Sequence, residues 1–398
     1  MEVLCPPRAV GRLVHLRNPR FHRQVKRWRH ASEIVERMDC RLDFASSHYL
    51  GLKHSSREIP AWDQLSTGKP AVLVTPPVEL EVSKQLALLQ NCENATVGTS
   101  TLHLFWDLFG ILGSRPLAVY VDAETYPIAL WGVERARAGG ACVHRFAHHD
   151  PRDLFRLLRQ NARSNCFQVV VTDGFCINCG HAAPLRDYLQ AVRSFDGLLV
   201  VDDTQALGIF GRRDGCQGSD APYGTGGGGL FPWYSVADPR ALAISSLAKA
   251  FGVPVAAMAG STSLVRWFLE MSETRVHCSP PSAAVLNAAQ RALEINSRAG
   301  NELRCRLARL VQHFRTRLGA IGVLCTGGLF PVQTLNVTDS AARHIQATLE
   351  RAGVQSVLRH ARNGARAKLT FIITAKHRVC DIDHVAHLIG RSHHESII

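Results

Sequence analysis

Leu198-Leu199-Val200-Val201-Asp202-Asp203-Thr204-Gln205 is the stretch on which the fold turns. Four aliphatic residues run without alternation and then give way to two carboxylates. An unbroken run of this length suits a strand buried on both faces of a mainly parallel sheet. Leu117–Val121, Phe167–Val171 and Ala241–Ile244 have the same character. Helix signals lie between these runs. Asp150-Pro151-Arg152-Asp153 offers an N-cap carboxylate, a proline at the first helical position and an acid three residues after the cap. Leu154, Leu157 and Leu158 then supply an apolar stripe. This alternation, from about residue 70 to residue 290, predicts a wound α/β domain.

Ligands in such sheets bind at the carboxyl ends of the strands. The residues to read are therefore Asp122-Ala-Glu-Thr-Tyr126, Thr172-Asp173, Asp202 to Gln205, and Ser245-Ser-Leu-Ala-Lys249. Two carboxylates and a lysine are expected to converge there, with an aromatic nearby. A lysine in an apolar site has a depressed pKa and can form a Schiff base. An acid beneath a pyridine ring keeps its nitrogen protonated and makes the ring an electron sink. The plainer readings are a solvated lysine and a carboxylate that caps a helix.

Beyond about residue 295 the pattern changes. Leu303–Leu318 reads as an amphipathic helix, Val332–Val337 as a strand and Ala342–Ala352 as a helix. Val354–Leu358 and Lys368–Ile373 read as strands and Asp381–Ile389 as a closing helix. The expected organisation is an N-terminal arm over 1–60, a large domain over 61–294 and a small α+β domain over 295–398. Gly224-Thr-Gly-Gly-Gly-Gly229 superficially matches a dinucleotide loop, but Pro232 and Trp233 follow where a helix belongs. It is expected to be a solvated linker, with a lid over the site as the alternative.

Composition bounds the function. The chain has 398 residues, 46% of them apolar and 20% charged, and a formal net charge of +13. Those values exclude a largely disordered or collagen-like chain. No apolar stretch reaches about 18 residues, so no membrane span is expected. The start lacks the apolar core of a secretory signal, which predicts a cytoplasmic protein. Twelve cysteines are too dilute for a disulfide scaffold. The one CxxC, Cys176-Ile-Asn-Cys179, has no second pair at the spacing of a structural zinc site, so no metal is expected. No acid lies between Glu2 and Glu33, while eight Lys and Arg residues accumulate there. The run fits a solvated helix face, an arm that attracts a polyanionic thioester substrate, or a transit segment. No recognisable nucleic-acid module accompanies it.

From about residue 40 onward the chain resembles the α-oxoamine synthases, a branch of the fold-type-I pyridoxal-phosphate enzymes. Phe44-Ala-Ser-Ser-His-Tyr-Leu-Gly-Leu52, Ala182-Ala-Pro-Leu185, Val201-Asp-Asp-Thr-Gln-Ala-Leu-Gly208, Ser245–Gly252 and Gly364-Ala-Arg-Ala-Lys-Leu-Thr-Phe371 carry the resemblance, in family order and at family spacing. It implies a fold-type-I transferase with pyridoxal 5'-phosphate as cofactor. Lys249 takes the place of the lysine that carries the cofactor, and Asp202 that of the pyridinium partner. Ser246 and the Gly98-Thr99-Ser100 turn fall on the phosphate contacts. Arg366 matches the arginine that pairs with the substrate carboxylate. Ser279-Pro280-Pro281 matches a segment donated across a dimer interface, which implies a homodimer.

Three positions depart from the family pattern. Tyr126 stands where a histidine stacks on the cofactor, Gln205 where a second histidine lies near the ring hydroxyl, and Ile177 where a serine occupies the preceding loop. The implied reaction condenses an amino acid with an acyl thioester, borne by coenzyme A or a carrier protein, and loses carbon dioxide to give an aminoketone. An aminotransferase, racemase or lyase on the same fold is the alternative, and a non-catalytic cofactor-binding scaffold is a third reading.

Overall fold

The four aliphatic runs form the centre of a seven-stranded sheet in the computed structural model, which describes residues 42–161, 165–213, 221–360 and 367–395. Its strands are β1 (Asn94–Gly98), β2 (Leu117–Asp122), β3 (Cys142–Phe146), β4 (Phe167–Asp173), β5 (Leu198–Asp202), β6 (Ala241–Ser246) and β7 (Ala256–Gly260). They lie in the order β1-β7-β6-β5-β4-β2-β3. β7 runs antiparallel to both neighbours, and the pairs formed among β2 to β6 are parallel. Every residue of β2 and β5 is buried, as strands covered on both faces must be.

The helix signals hold as well. Pro151–Asn161 is helical, and the Asp150 carboxylate accepts the N–H groups of Arg152 and Asp153 at 2.9 and 3.2 Å. On one face of the sheet, Val119, Val121, Val169, Val171, Val200 and Ile244 pack with Phe105, Phe109, Val133 and Phe268. Helices Thr101–Leu112 and Pro127–Ala138 approach closely there because residue 132 is glycine. A Cβ at Gly132 would lie 2.7 Å from the Phe105 carbonyl oxygen.

The described residues from Asp43 onward form a single compact unit. The helix read over Leu303–Leu318 belongs to a 38-residue helix, Ala283–Ala320, which runs through residue 295. After it come β8 (Cys325–Thr326), β9 (Val332–Leu335), β10 (Val357–His360) and β11 (Ala367–Ile372), in a sheet ordered β8-β9-β11-β10. Helices Asp339–Arg351 and Val379–Glu395 complete this C-terminal region. Within the stretch read as an arm, Phe44, Tyr49 and Leu50 are buried, and Phe44 stacks on His377 with ring centroids 4.1 Å apart. The basic run lies outside the described residues. None of the described helices is long and apolar enough to cross a membrane.

The glycine stretch corrects its expectation twice. Residues 227–229 are buried, and the segment pairs through Arg212 N–H to Thr225 O, Gly208 N–H to Gly227 O and Gly229 N–H to Phe210 O, at 2.7–2.8 Å. It is therefore a packed strip and not a solvated linker. A short helix, Leu230–Tyr234, does follow it. Pro232 falls in the first turn, where no backbone N–H is needed.

Candidate active site

Two carboxylates close adjacent parallel strands. Asp173 ends β4, Asp202 ends β5, and the register pairs them directly, so their backbones lie about 4.8 Å apart across the sheet. Lys249 follows β6 by three residues. Burial raises Asp202, against hydrogen bonds from Thr204 and the attraction of Lys249. Asp173 stands well above the usual carboxylate range, through burial first and the Asp202 charge second. Burial holds Lys249 below its ordinary value despite the pull of Asp202 and Asp173. Two acids and one amine thus lie together where burial disfavours the charged form of each.

Thr204 ties the strand ends together. Its N–H donates to Asp202 Oδ1 at 3.1 Å, and its Oγ1 accepts the Ser246 N–H at 3.0 Å. Ser246 Oγ in turn accepts the Ala248 N–H at 3.2 Å. Asp203 serves packing instead. Its Oδ2 accepts the Leu230 N–H at 2.9 Å, and burial pushes its carboxyl up to about 8.

An anion cradle lies further along the same sheet edge. Gly98 ends β1, and Ser100 caps helix Thr101–Leu112 by accepting the His103 N–H at 3.4 Å. No acid occupies the first turn, so the helix start keeps its partial positive charge. Ala256 of β7 is the register partner of both Gly98 and Ser246. This crossing puts the two expected phosphate contacts on one row. Thr99 and Gly98 also share a small cavity with Ser279, Pro280 and Pro281 of the same chain.

Tyr126 is tied to the carboxylate pair through its backbone, whose N–H donates to Asp173 Oδ1 at 3.0 Å, while the residue is 52% exposed. Gln205 accepts the hydroxyl of buried Tyr49 at 2.6 Å. Ile177 is half-buried in the turn after Cys176. Arg366 lies outside the described residues, immediately before β11. Lys249, Asp202, Gln205, Tyr126, Ser246 and the Gly98–Ser100 turn all gather at the carboxyl edge of the sheet. Sequence reasoning put Asp173 and Thr204 on the ligand edge without giving either a role, and it gave Tyr49 none. The signal for Asp173 was present, since it ends an aliphatic run as Asp202 does, but the register alone makes them neighbours.

These residues fit pyridoxal phosphate. Among the described residues, Asp202 takes its hydrogen bonds from Thr204, and its buried carboxylate gains from a protonated ring nitrogen above it. The helix start suits a phosphate and Lys249 a carbonyl carbon. The comparisons agree. The family model for aminotransferase class I and II matches residues 42–366. The 8-amino-7-oxononanoate synthase of Klebsiella pneumoniae (strain 342) is 29% identical over 355 residues, covering 86% of each chain. Serine palmitoyltransferase of Sphingomonas wittichii superposes with a TM-score of 0.79 at 15% identity, covering 98% of this chain and 100% of that one. The enzyme of S. paucimobilis, solved with a bound PLP–myriocin aldimine, gives 0.76 at 16% identity and covers 90% and 89%. Family match, fold and convergent site together make this chain a member of the aminotransferase class I and II family of pyridoxal-phosphate enzymes, in its α-oxoamine synthase branch.

Proposed function

We propose that this protein condenses an amino acid with an acyl thioester to give an aminoketone, as the name of its 8-amino-7-oxononanoate synthase relatives suggests. The observation that carries the reading is Lys249 beside the paired Asp202 and Asp173, on one sheet edge with the Gly98–Ser100 cradle. Bound pyridoxal phosphate supplies an electron sink for negative charge at the amino acid Cα. Lys249, whose charged form burial disfavours, removes the Cα proton as general base. Asp202 holds the proton on the ring nitrogen. Gln205 has its carbonyl engaged by Tyr49, so its amide N–H would be the group that donates to the ring hydroxyl. Tyr126, whose N–H is held by Asp173, would lie against the cofactor ring. Arg366, as the resemblance implies, would pair with the substrate carboxylate. The new bond joins Cα to the acyl carbon, the thiol leaves, and carbon dioxide is lost.

The test mixes the protein with a panel of amino acids and acyl-CoA thioesters. Equal release of thiol and carbon dioxide, absent in Lys249→Ala, is the expected result. Exchange of the Cα proton for deuterium with no thiol released overturns condensation. That outcome, with conversion of the cofactor to its amine form, points to the second reading, transamination, which the Tyr126 and Gln205 replacements favour. We further infer a homodimer in a reducing, cytoplasmic setting. Among the described residues no two cysteines are joined in a disulfide, in keeping with that compartment. Sedimentation at a single-chain mass contradicts the dimer.

A further inference from the structure

Beside the site, another buried carboxylate closes a strand. Asp122 ends β2 and is 1% exposed. Its Oδ1 lies 2.7 Å from His148 Nδ1, and its Oδ2 accepts the His149 N–H at 3.0 Å. With Nδ1 held in this way, His148 presents Nε2 to Cys179 Sγ at 3.3 Å. His149 adopts a left-handed backbone, φ 54°, and brings Nδ1 to 3.9 Å from the same sulfur. Its other ring nitrogen, Nε2, is buried without a hydrogen-bond partner. One ligand atom from each of the three residues lies within 4.8 Å of the others.

A tetrahedral Zn²⁺, with Zn–S near 2.3 Å and Zn–N near 2.0 Å, spaces its sulfur and nitrogen ligands about 3.5 Å apart. The two observed S–N distances, 3.3 and 3.9 Å, straddle that value. We propose that His148, His149 and Cys179 form a Zn²⁺ site with an open fourth position, and that Asp122 orients His148 from behind. A carboxylate–histidine–metal chain of this kind fixes the tautomer and raises the basicity of the ligand. One thiolate and two imidazoles select Zn²⁺ over Mg²⁺ or Ca²⁺, which prefer oxygen. Metal binding displaces the Cys179 proton to solvent.

The site joins the loops that follow β2, β3 and β4. Cys179 is the second cysteine of the CxxC, and its partners come from 30 and 31 residues upstream instead of from a second pair. Its neighbour Asn178 donates to Glu124 at 3.2 Å and accepts from Arg359 at 2.9 Å, so the metal pins the rim that also carries Tyr126. Cys176 lies outside the ligand set.

Full-length protein, reduced and loaded with cofactor, is dialysed against chelator and titrated with Co²⁺ and with Zn²⁺. About one equivalent of either is expected to bind, with a thiolate-to-Co²⁺ charge-transfer band that Zn²⁺ abolishes. Cys179→Ser is expected to remove the band, and His149→Ala to weaken binding. Asp122→Asn should weaken binding about 10–100-fold. Retained cofactor absorbance in each variant shows that the fold survives. Absence of the band in wild type, or a band unchanged in Cys179→Ser, overturns the site. So does a Cys176–Cys179 disulfide that forms in air equally fast with and without Zn²⁺. None of these outcomes depends on condensation activity.

Discussion

The hydroxyl of Tyr49 donates to Oε1 of Gln205 at 2.6 Å, across 156 residues of sequence. It joins the first motif of the chain to the segment that carries Asp202, and it orients the residue that replaces a family histidine. Tyr49→Phe leaves the Gln205 carbonyl without this donor. The expected loss is about 1–3 kcal/mol of stability. Denaturant unfolding measures it, and a shifted absorbance maximum of bound cofactor should accompany it. An unchanged spectrum contradicts a ring contact by Gln205.

Ser100 caps the helix on which the phosphate cradle is built. Ser100→Ala should lower stability by about 1 kcal/mol through loss of the cap. Affinity for pyridoxal phosphate should fall as well, because the first-turn N–H groups lose their alignment. Thermal unfolding of the cofactor-free protein and a cofactor titration separate the two effects.

Asp203 gives a pH signature. Burial raises its carboxyl from 3.8 to about 8, so folding protects the protonated form. Its contribution to stability is complete below about pH 4 and is lost as pH rises toward 8, with a slope near 1.4 kcal/mol per pH unit between those limits. In Asp203→Asn that slope should disappear. Unfolding free energies of both proteins at pH 5 and pH 7 provide the comparison.

Gly227 has φ 76°, and a Cβ there would lie 2.3 Å from an Arg304 guanidinium nitrogen. Gly227→Ala should therefore destabilise the protein by about 1–3 kcal/mol. A lid predicts the opposite pattern, with altered substrate affinity and unchanged stability.

The sheet and its site edge were legible because their signal is local. Leu198–Val201 and its counterparts have the composition of strands buried on both faces, and the polar residues after them mark the ligand edge. Lys249, Asp202 and the Gly98–Ser100 turn could be placed from motifs alone. Register was not legible. Nothing in the spacing of Asp173 and Asp202 shows that they lie side by side, and nothing in that of Gly98 and Ser246 shows that both flank Ala256. The glycine strip misled for a physical reason. Positive φ at Gly224, Gly226, Gly227 and Gly229 serves close backbone pairing here, whereas composition alone reads it as flexibility. The neighbours of Cys179 were not legible either, because His148 and His149 arrive from another strand end.

The most direct test of the central claim is the visible absorption of the protein mixed with pyridoxal phosphate, followed by borohydride reduction and peptide mapping. The expected result is a band that reduction abolishes, with the pyridoxyl group fixed on Lys249 and no band in Lys249→Ala. A folded protein that shows no band in excess cofactor, or a label on some other lysine, contradicts it.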